Sequence, residues 1–349
     1  MTEAAIVTTA LSVRRQVART TLELPVFGFG SVHLGELYGR VDEAQSRATL
    51  DAAWDAGIRF YDTAPWYGRG LSEHRLGGLL RTRPRDAFVV NTKVGRTLHR
   101  PKDTRSFDTA PWTGGLPFEV AFDYSYDGIM RSYEQALQRL ALNTVDALAI
   151  HDLDTLFHTP EAVAEHLKAL TGSGMRALAE LKSGGQIKAV GVGINIPGNL
   201  DAMIAAIDVD FALVAMPYTL LDQSTLHTDM ARCVERGVSV IIGAPFASGI
   251  LVTGSGSGAK YAYGAASPEV QAKVRRIEAV CAAHRVSLPT AALQFPLAHP
   301  AVVSIIPGAA KPTEITQNVA SLQAPIPAGF WSDLKAQGLI DPDAPTPDP

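Results

Sequence analysis

The chain has 349 residues, of which 46% are apolar and 19% are charged, and its formal net charge is −4. This composition is typical of a globular protein with a large core, and it excludes the basic class of nucleic-acid-binding proteins. The sequence contains no apolar run long enough to span a membrane and no segment with the charge order of an export signal. Because Cys233 and Cys281 are too few for a disulfide framework and lack metal-site spacing, we expect a cytoplasmic protein.

Short apolar runs alternate with amphipathic stretches along the chain. A hairpin over 13–17 and 20–24 is predicted first, and a buried strand over 26–31 follows. Asp42 is placed to cap a helix that runs to Gly57. Seven further strands are predicted at 58–61, 87–94, 145–153, 187–195, 211–218, 238–244 and 302–307, and further helices at 72–81, 126–142, 160–183, 199–207, 224–236, 268–285 and 311–321.

The predicted strands consist of continuous Val, Ile, Leu and Ala runs, which indicates burial on both faces of a parallel sheet. Eight such strands alternating with helices favour an α/β fold of the (β/α)8 TIM-barrel type over a doubly wound sheet. We expect one barrel domain over residues 1–340, with an N-terminal β-hairpin and long loops on the active face. The Pro- and Asp-rich tail over 341–349 is expected to be disordered.

Three predicted strands end on chemically active side chains, namely Asp62, Lys93 and His151. The carboxyl ends of barrel strands share one face, so these residues should meet there, with Tyr67 following Asp62 by five positions. Taken singly, such residues are usually structural. Together they fit proton transfer: Lys93 would lower the pKa of the Tyr67 phenol, Asp62 would hold Lys93, and His151 would hydrogen-bond the substrate oxygen.

Two connections on the active face are unusually long. The first, 95–125, is rich in aromatic residues including Trp112 and fits a pocket wall, whereas the second, 246–267, carries a Gly/Ser run that fits a mobile flap. Plain surface loops remain the alternative for both. Rossmann, P-loop and metal-binding motifs are not matched, although His151, Asp152 and Asp154 leave a metal site as a minor alternative.

From about Phe27 to Ile340 the sequence resembles the aldo-keto reductases. The resemblance rests on Asp62 with Tyr67, on Lys93 and His151, and on the segments 67–73, 289–295 and 306–318. It implies NAD(P)-dependent carbonyl reduction or alcohol oxidation, with the cofactor lying across the barrel mouth. The residues that it implies for substrate binding are His33, Trp66, Tyr67, His151 and Trp112.

The same resemblance assigns cofactor contacts unevenly. Asn195 matches the residue that holds the nicotinamide amide, and Asn318 matches one that faces the adenine. Met216 stands where many members have Gln, and Gly243 where many have Tyr, so the ring is expected to be held by other groups such as Ala244 and Phe246. The full expected set is Gly30, Ser31, Asp62, Asn195, Met216, Ala244, Phe246, Pro307, Gly308, Glu314 and Asn318.

Glu314 stands where many family members have an Arg that binds the 2′-phosphate of NADP. A carboxylate repels a phosphate and accepts hydrogen bonds from a free ribose, so NAD is expected, with NADP as the alternative. Segments 30–35 and 244–251 are most similar to the branch of bacterial D-threo-aldose and pyridoxal dehydrogenases.

That likeness implies oxidation of free aldoses such as L-fucose or D-arabinose to the lactone. Pyridoxal oxidation, general aldehyde reduction, a metal-dependent barrel hydrolase and a cofactor-binding regulatory subunit without turnover are the alternatives. The expected partners are a small-molecule substrate and, at most, further copies of the chain in a small homo-oligomer. Neither nucleic acid nor a membrane is expected to bind.

Overall fold

The computed structural model describes residues 11–37, 39–262 and 264–347. Its centre is a sheet of eight parallel strands in the order β3-β4-β5-β8-β9-β10-β11-β14, surrounded by helices. These strands are β3 (Phe29–Gly30), β4 (Phe60–Asp62), β5 (Val89–Val94), β8 (Ala147–His151), β9 (Ala189–Ile194), β10 (Phe211–Val214), β11 (Ser239–Ile242) and β14 (Val302–Ile305).

The sheet closes on itself next to β3. The backbone N–H of Gly28 donates to the carbonyl oxygen of Ile305 at 2.9 Å, and the N–H of Ile305 donates to the carbonyl oxygen of Val26 at 2.9 Å. Two residues further along the strand, the N–H of Gly30 donates to the carbonyl oxygen of Pro307 at 3.1 Å. The first and last strands are therefore neighbours, which confirms the predicted (β/α)8 barrel.

The barrel interior is filled by side chains. Phe60 and Phe211 are fully buried there, and glycines make room for them. A Cβ atom at Gly28 would lie 2.6 Å from the ring of Phe60, and one at Gly191 would lie 2.4 Å from the ring of Phe211. Both distances are too short for any side chain, so these two glycines are required by the packing.

An antiparallel hairpin of β1 (Arg14–Gln16) and β2 (Glu23–Pro25) precedes the barrel, as predicted. The guanidinium group of Arg15, in this hairpin, donates to the carbonyl oxygens of Leu297 at 2.9 Å and Val302 at 2.6 Å. Three apolar side chains of the hairpin belong to the same buried cluster as the barrel interior: Val17, Leu22 and Leu24. The hairpin therefore seals the end of the barrel at which β14 begins.

The helices form the outer layer, and most of them bury one face, whereas Pro160–Ala169 has no buried residue. They are α1 (Glu43–Asp55), α2 (Leu71–Leu80), α3 (Tyr126–Leu140), α4 (Pro160–Ala169), α5 (Met175–Ser183), α6 (Asn199–Ala206), α7 (Ala231–Arg236), α8 (Ile250–Thr253), α9 (Pro268–His284), α10 (Leu288–Gln294), α11 (Pro312–Gln323) and α12 (Ala328–Ala336). The predicted Asp42 cap is present, since its carboxylate accepts from the N–H of Gln45 at 2.7 Å.

Three features of the helical layer differ from prediction. The stretch 160–183 is interrupted by a π turn at Leu170–Gly174, where a Cβ atom at Gly174 would lie 2.2 Å from the carbonyl oxygen of Tyr124. The stretch 224–236 likewise begins with a π turn at Leu226–Met230. The short helices α8, α10 and α12 were not predicted, although the buried residues Leu288, Ala291 and Ala292 of α10 and Phe330, Trp331 and Leu334 of α12 recur at helical spacing.

The long loops and the tail contain more structure than the sequence indicates. Segment 95–125 carries an antiparallel pair, β6 (Arg96–His99) and β7 (Glu119–Phe122), and segment 246–267 carries β12 (Lys260–Tyr261) and β13 (Gly264–Ala265). Disorder of the tail was the wrong prediction for 341–347, because Ala344 is fully buried and the N–H of Asp341 donates to Gln223 at 3.3 Å. Residues 348 and 349 lie outside the described residues.

Candidate active site

Four polar side chains meet at the carboxyl end of the barrel. Asp62 ends β4, Lys93 lies in β5, His151 ends β8, and Tyr67 lies in the loop after β4. The ammonium Nζ of Lys93 is 2.8 Å from Asp62 Oδ2 and 3.0 Å from the hydroxyl of Tyr67. The rings of Tyr67 and His151 lie 6.0 Å apart, nearly perpendicular to each other. The structure thus brings together all four residues that the sequence singled out.

Two neighbouring groups complete the binding of the buried ion pair. Asn91 Nδ2 donates to Asp62 Oδ1 at 2.6 Å, and Lys93 donates to the carbonyl oxygen of Thr63 at 2.9 Å. Asp62 and Lys93 are only 2% and 1% exposed, so these contacts replace lost hydration. Sequence reasoning missed Asn91, although it lies two residues before Lys93 and therefore on the same face of the strand.

The protonation of Tyr67 differs from the expected direction. Burial raises the pKa of the Tyr67 phenol, and the Lys93 ammonium opposes this effect without overcoming it. Burial alone would lower the pKa of Lys93, but the charge of Asp62 and the phenol outweigh it and raise that pKa. The site therefore holds a permanent cation beside a phenol that is protonated at neutral pH.

His151 is a neutral imidazole in this setting. Burial lowers its pKa well below the usual value, and the positive charges of Arg96 and Lys93 add to the effect. Its Nε2 atom lies 3.2 Å from Asp152 Oδ2. A neutral imidazole next to Tyr67 can hydrogen-bond a substrate oxygen, but it cannot contribute a full charge to the reaction.

A second buried ion pair stands beside His151, and sequence reasoning missed it. Arg96 Nη2 donates to Asp152 Oδ2 at 2.5 Å, and Asn195 Nδ2 donates to Asp152 Oδ1 at 2.9 Å. Burial raises the pKa of Asp152 to about 6, while Arg96 opposes the increase. The sequence offered a signal for Asp152, which directly follows His151, and a weaker one for Arg96, which lies three positions after Lys93.

Aromatic rings surround the Arg96 guanidinium and form one wall of the mouth. Its Cζ atom lies 4.9 Å from the ring centre of Trp66, 4.8 Å from that of Phe122 and 4.5 Å from that of Phe157. Trp66 packs edge-on against Trp112 at 5.4 Å, and Trp112 lies 6.1 Å from the ring of Tyr67. A cavity of about 350 Å³ lies against this wall, lined by Trp66, Arg69, Arg96, Phe107, Glu119, Val120, Phe122 and Phe157.

His33 lies in a different part of the mouth from the two tryptophans. A Cβ atom at Gly308 would lie 2.4 Å from His33 Nδ1. Burial lowers the pKa of the His33 imidazole, and the charge of Glu314 opposes this effect. This position groups His33 with the residues expected to bind the cofactor. A substrate contact by His33 therefore has less support than contacts by Trp66 and Trp112.

The expected cofactor residues lie on several elements at this end of the barrel. Gly30 and Gly308 are bridged, and a Cβ atom at Gly30 would lie 2.6 Å from the carbonyl oxygen of Ile306. Ser31 differs from expectation, because its buried hydroxyl donates to the carbonyl oxygen of Asp62 at 2.7 Å and accepts from Ser72. The others are placed after β9 (Asn195), β10 (Met216), β11 (Ala244, Phe246) and β14 (Pro307), and within α11 (Glu314, Asn318).

Glu314 occupies the first turn of α11. Its Oε2 atom accepts from the backbone N–H groups of Ala310 at 2.7 Å and Lys311 at 3.3 Å. Unsatisfied N–H groups at a helix start are a common site for phosphate binding. In this chain a carboxylate already takes these donors, so an incoming phosphate would meet both competition and repulsion.

A comparison with known protein families identifies the family of the chain. Residues 26–337 match the model of the aldo/keto reductase family. The chain belongs to this family. It is an NAD(P)-dependent oxidoreductase, and family members act on small molecules with a nicotinamide cofactor.

Two similar relatives are named dehydrogenases. The chain is 40% identical to a pyridoxal 4-dehydrogenase from Microbacterium luteolum, over 94% of this chain and 98% of the relative. It is 36% identical to a D-threo-aldose 1-dehydrogenase from a Pseudomonas species, over 96% and 99%. An aldo-keto reductase structure from Bacillus halodurans superposes with a TM-score of 0.70 at 24% identity, covering 94% of this chain and 96% of that one. The chain thus falls in the branch that the sequence indicated.

The residues at the mouth fit a nicotinamide cofactor. After β11 the chain carries only the small residues Gly243 and Ala244, and a Cβ atom at Gly243 would lie 2.7 Å from the side chain of Leu213. Asn195 is tied through Asp152 to the immediate surroundings of His151, so an amide held by Asn195 would lie beside the tetrad. When bound, the nicotinamide accepts or supplies the hydride.

A metal site at His151 receives no support from the geometry. Among the described residues, the one acidic and histidine group whose ligand atoms converge is His227 with Asp341 and Asp343, none of which belongs to the tetrad. Asp152 is instead bound by Arg96 and Asn195. Within the described ranges, no helix has the length and apolarity needed to cross a membrane.

Proposed function

We propose that the enzyme oxidises free aldoses such as L-fucose or D-arabinose at C1 to the lactone, with NAD as the cofactor. The observation that carries this proposal is the neutral, buried mouth, in which the Tyr67 hydroxyl lies 3.0 Å from the Lys93 ammonium and next to neutral His151. An uncharged polyol can enter such a site without leaving a charge unpaired. The aromatic wall at Trp66 provides a surface on which a sugar ring can pack.

The residues have distinct roles in the proposed oxidation. After the Tyr67 phenol has released its own proton to solvent, the C1 hydroxyl transfers its proton to the phenolate oxygen of Tyr67. The C1–H bond breaks with its electron pair leaving as hydride, and the C1–O bond becomes the lactone carbonyl. Lys93 stabilises the phenolate that accepts the proton, and Asp62 keeps Lys93 in place at 2.8 Å. His151 binds the reacting oxygen and orients it towards Tyr67.

The preference for NAD rests on Glu314. Its carboxylate accepts two backbone N–H groups at the start of α11, where a 2′-phosphate would otherwise find donors. A ribose hydroxyl can instead donate to this carboxylate. We therefore expect NAD to be used more efficiently than NADP.

Oxidation of pyridoxal is the second candidate. It is favoured by the relative at 40% identity that is named a pyridoxal 4-dehydrogenase. The cavity of about 350 Å³ beside Trp66 and Phe122 also suits a flat heteroaromatic ring. The same four residues would carry out the proton and hydride transfer.

A substrate panel tests both candidates. L-Fucose, D-arabinose, pyridoxal and simple aldehydes are assayed with both cofactors in both directions, by the absorbance of the reduced cofactor. The Tyr67→Phe variant serves as the control for contaminating activity. We expect oxidation of at least one of the two sugars with NAD. If both sugars and pyridoxal fail while simple aldehydes are reduced, the enzyme is a general reductase, and if cofactor binds without any turnover, it is a regulatory protein.

A further inference from the structure

We propose that Asp152, held by Arg96, determines substrate specificity by accepting a hydrogen bond from a hydroxyl on the carbon next to the reacting carbon. For an aldose this is the hydroxyl at C2. The proposal rests on the proposed function, because it assumes that the reacting oxygen binds at Tyr67 and His151. It adds a recognition site that lies outside the tetrad.

The first argument is position. Asp152 Oδ2 lies 3.2 Å from His151 Nε2, and His151 packs against Tyr67. In the gauche rotamer of an O–C–C–O unit the two oxygens are about 3 Å apart. A substrate whose reacting oxygen binds to His151 can therefore present its neighbouring hydroxyl to Asp152.

The second argument is hydrogen-bonding capacity. An ionised carboxylate offers about four acceptor sites. Protein side chains approach three of these sites, since Oδ2 accepts from Arg96 and lies 3.2 Å from His151 Nε2, and Oδ1 accepts from Asn195. An acceptor site remains on Oδ1 of a group that has no proton to donate, so it selects a donor such as a hydroxyl.

The third argument is rigidity. Arg96 is 1% exposed and is enclosed by the rings of Trp66, Phe122 and Phe157, which fixes the guanidinium. Asp152 itself has a φ of 47°, a left-handed conformation that non-glycine residues adopt rarely and that is often found at binding sites. The carboxylate is therefore held in one orientation before substrate binds, which favours specificity.

The fourth argument is charge. The Asp152–Arg96 and Asp62–Lys93 pairs are each neutral overall, and both are buried. A substrate anion would meet a carboxylate beside His151 without a free cation to match it. The arrangement accordingly selects an uncharged hydroxy compound.

A matched pair of sugars tests the contact directly. 2-Deoxy-D-ribose is D-arabinose without the C2 hydroxyl, so the ratio of their kcat/KM values reports on recognition of that group. We expect the wild type to prefer D-arabinose by about tenfold to a hundredfold, the range for a hydrogen bond to a charged group. In Asp152→Asn the ratio should fall to within about threefold of one, chiefly through a higher KM for D-arabinose.

Two further variants make the result interpretable. Asp210→Asn is the matched control, because Asp210 is a buried aspartate that pairs with Lys182 at 2.6 Å and precedes β10 at the opposite end of the barrel. Its sugar ratio should equal that of the wild type. If Asp152→Asn fails to fold because Arg96 loses its partner, the double variant Arg96→Met with Asp152→Asn removes both charges and is measured instead.

Each outcome decides between the proposals. Equal loss of activity on both sugars, with an unchanged ratio, would assign Asp152 a purely structural role and overturn this inference alone. If the wild type oxidises neither sugar but reduces aldehydes, the aldose proposal falls, and lactaldehyde against propanal provides the same hydroxyl comparison. No turnover of any of these compounds would overturn both proposals.

Discussion

Replacing Tyr67 with Phe removes the hydroxyl that we assign to proton transfer and leaves the ring in place. That hydroxyl has one described hydrogen bond, from Lys93 at 3.0 Å, whereas the ring keeps its packing against Trp112 and His151. Lys93 still has Asp62 and Thr63 as acceptors. We therefore expect a change of about 1 kcal/mol or less in the free energy of unfolding. The rate should fall by about two to four orders of magnitude.

The assay compares three quantities in wild type and variant. Steady-state kcat is measured with the best substrate of the panel, NAD binding by fluorescence titration, and stability by denaturant unfolding. Tyr61→Phe is the matched control, because Tyr61 is also fully buried and its hydroxyl donates to the carbonyl oxygen of Ile58, away from the tetrad. That variant loses the same atom and should keep its activity.

One result would refute the assignment of Tyr67. A folded Tyr67→Phe protein that binds NAD and retains more than about a tenth of the wild-type kcat would show that another group moves the proton. A loss of activity accompanied by an equal loss in Tyr61→Phe would indicate a general effect of hydroxyl removal on folding.

Three further predictions concern charges around the mouth. In Lys93→Met the pH profile of any remaining activity should move upward because the phenol loses its cation, and an unmoved profile would give Lys93 a structural role. About 3–5 kcal/mol of stability should be lost because Asp62 remains buried without a counter-charge, although it keeps the hydrogen bond from Asn91. Glu314→Arg should raise the NADP/NAD ratio of kcat/KM by about tenfold or more, which corresponds to about 1.4 kcal/mol. Glu314→Gln is the control, because it keeps the side-chain length and removes the charge. An unchanged ratio would place Glu314 away from the ribose. Alcohol oxidation needs the phenolate of Tyr67, and burial raises the pKa of this phenol. The rate of oxidation should therefore rise from about pH 7 to about pH 10, whereas the rate of carbonyl reduction should not. A flat oxidation profile would contradict this prediction.

The barrel and the positions of the tetrad were predictable because they depend on periodicity. Apolar strand runs recur eight times, and parallel strands place their carboxyl ends on one face whatever the loops do. Asp62, Lys93 and His151 could therefore be brought together without any knowledge of distances. The interruption at Leu170–Gly174 was not predictable, since it depends on a contact between Gly174 and Tyr124 that joins distant segments.

The protonation states in the site were harder to predict than the identity of its residues. The effect of Lys93 on the phenol has the expected sign, but burial is larger, and the extent of burial is set by the folded loops. The Arg96–Asp152 pair was missed because β6 was taken for an irregular loop. The cofactor contact of Ser31 stays a prediction, and the sequence did not show that its hydroxyl makes internal hydrogen bonds.

Barrel closure has a consequence for how the protein is made. Arg15 contacts Leu297 and Val302, which are 282 and 287 positions later in the chain. During synthesis the hairpin emerges before the barrel, yet the residues that bind Arg15 are among the last of the barrel to appear. Until β14 emerges, the edge at β3 and the guanidinium of Arg15 lack these partners. The barrel therefore cannot close until β14 has emerged, and until then the edge at β3 is open to pairing with other strands.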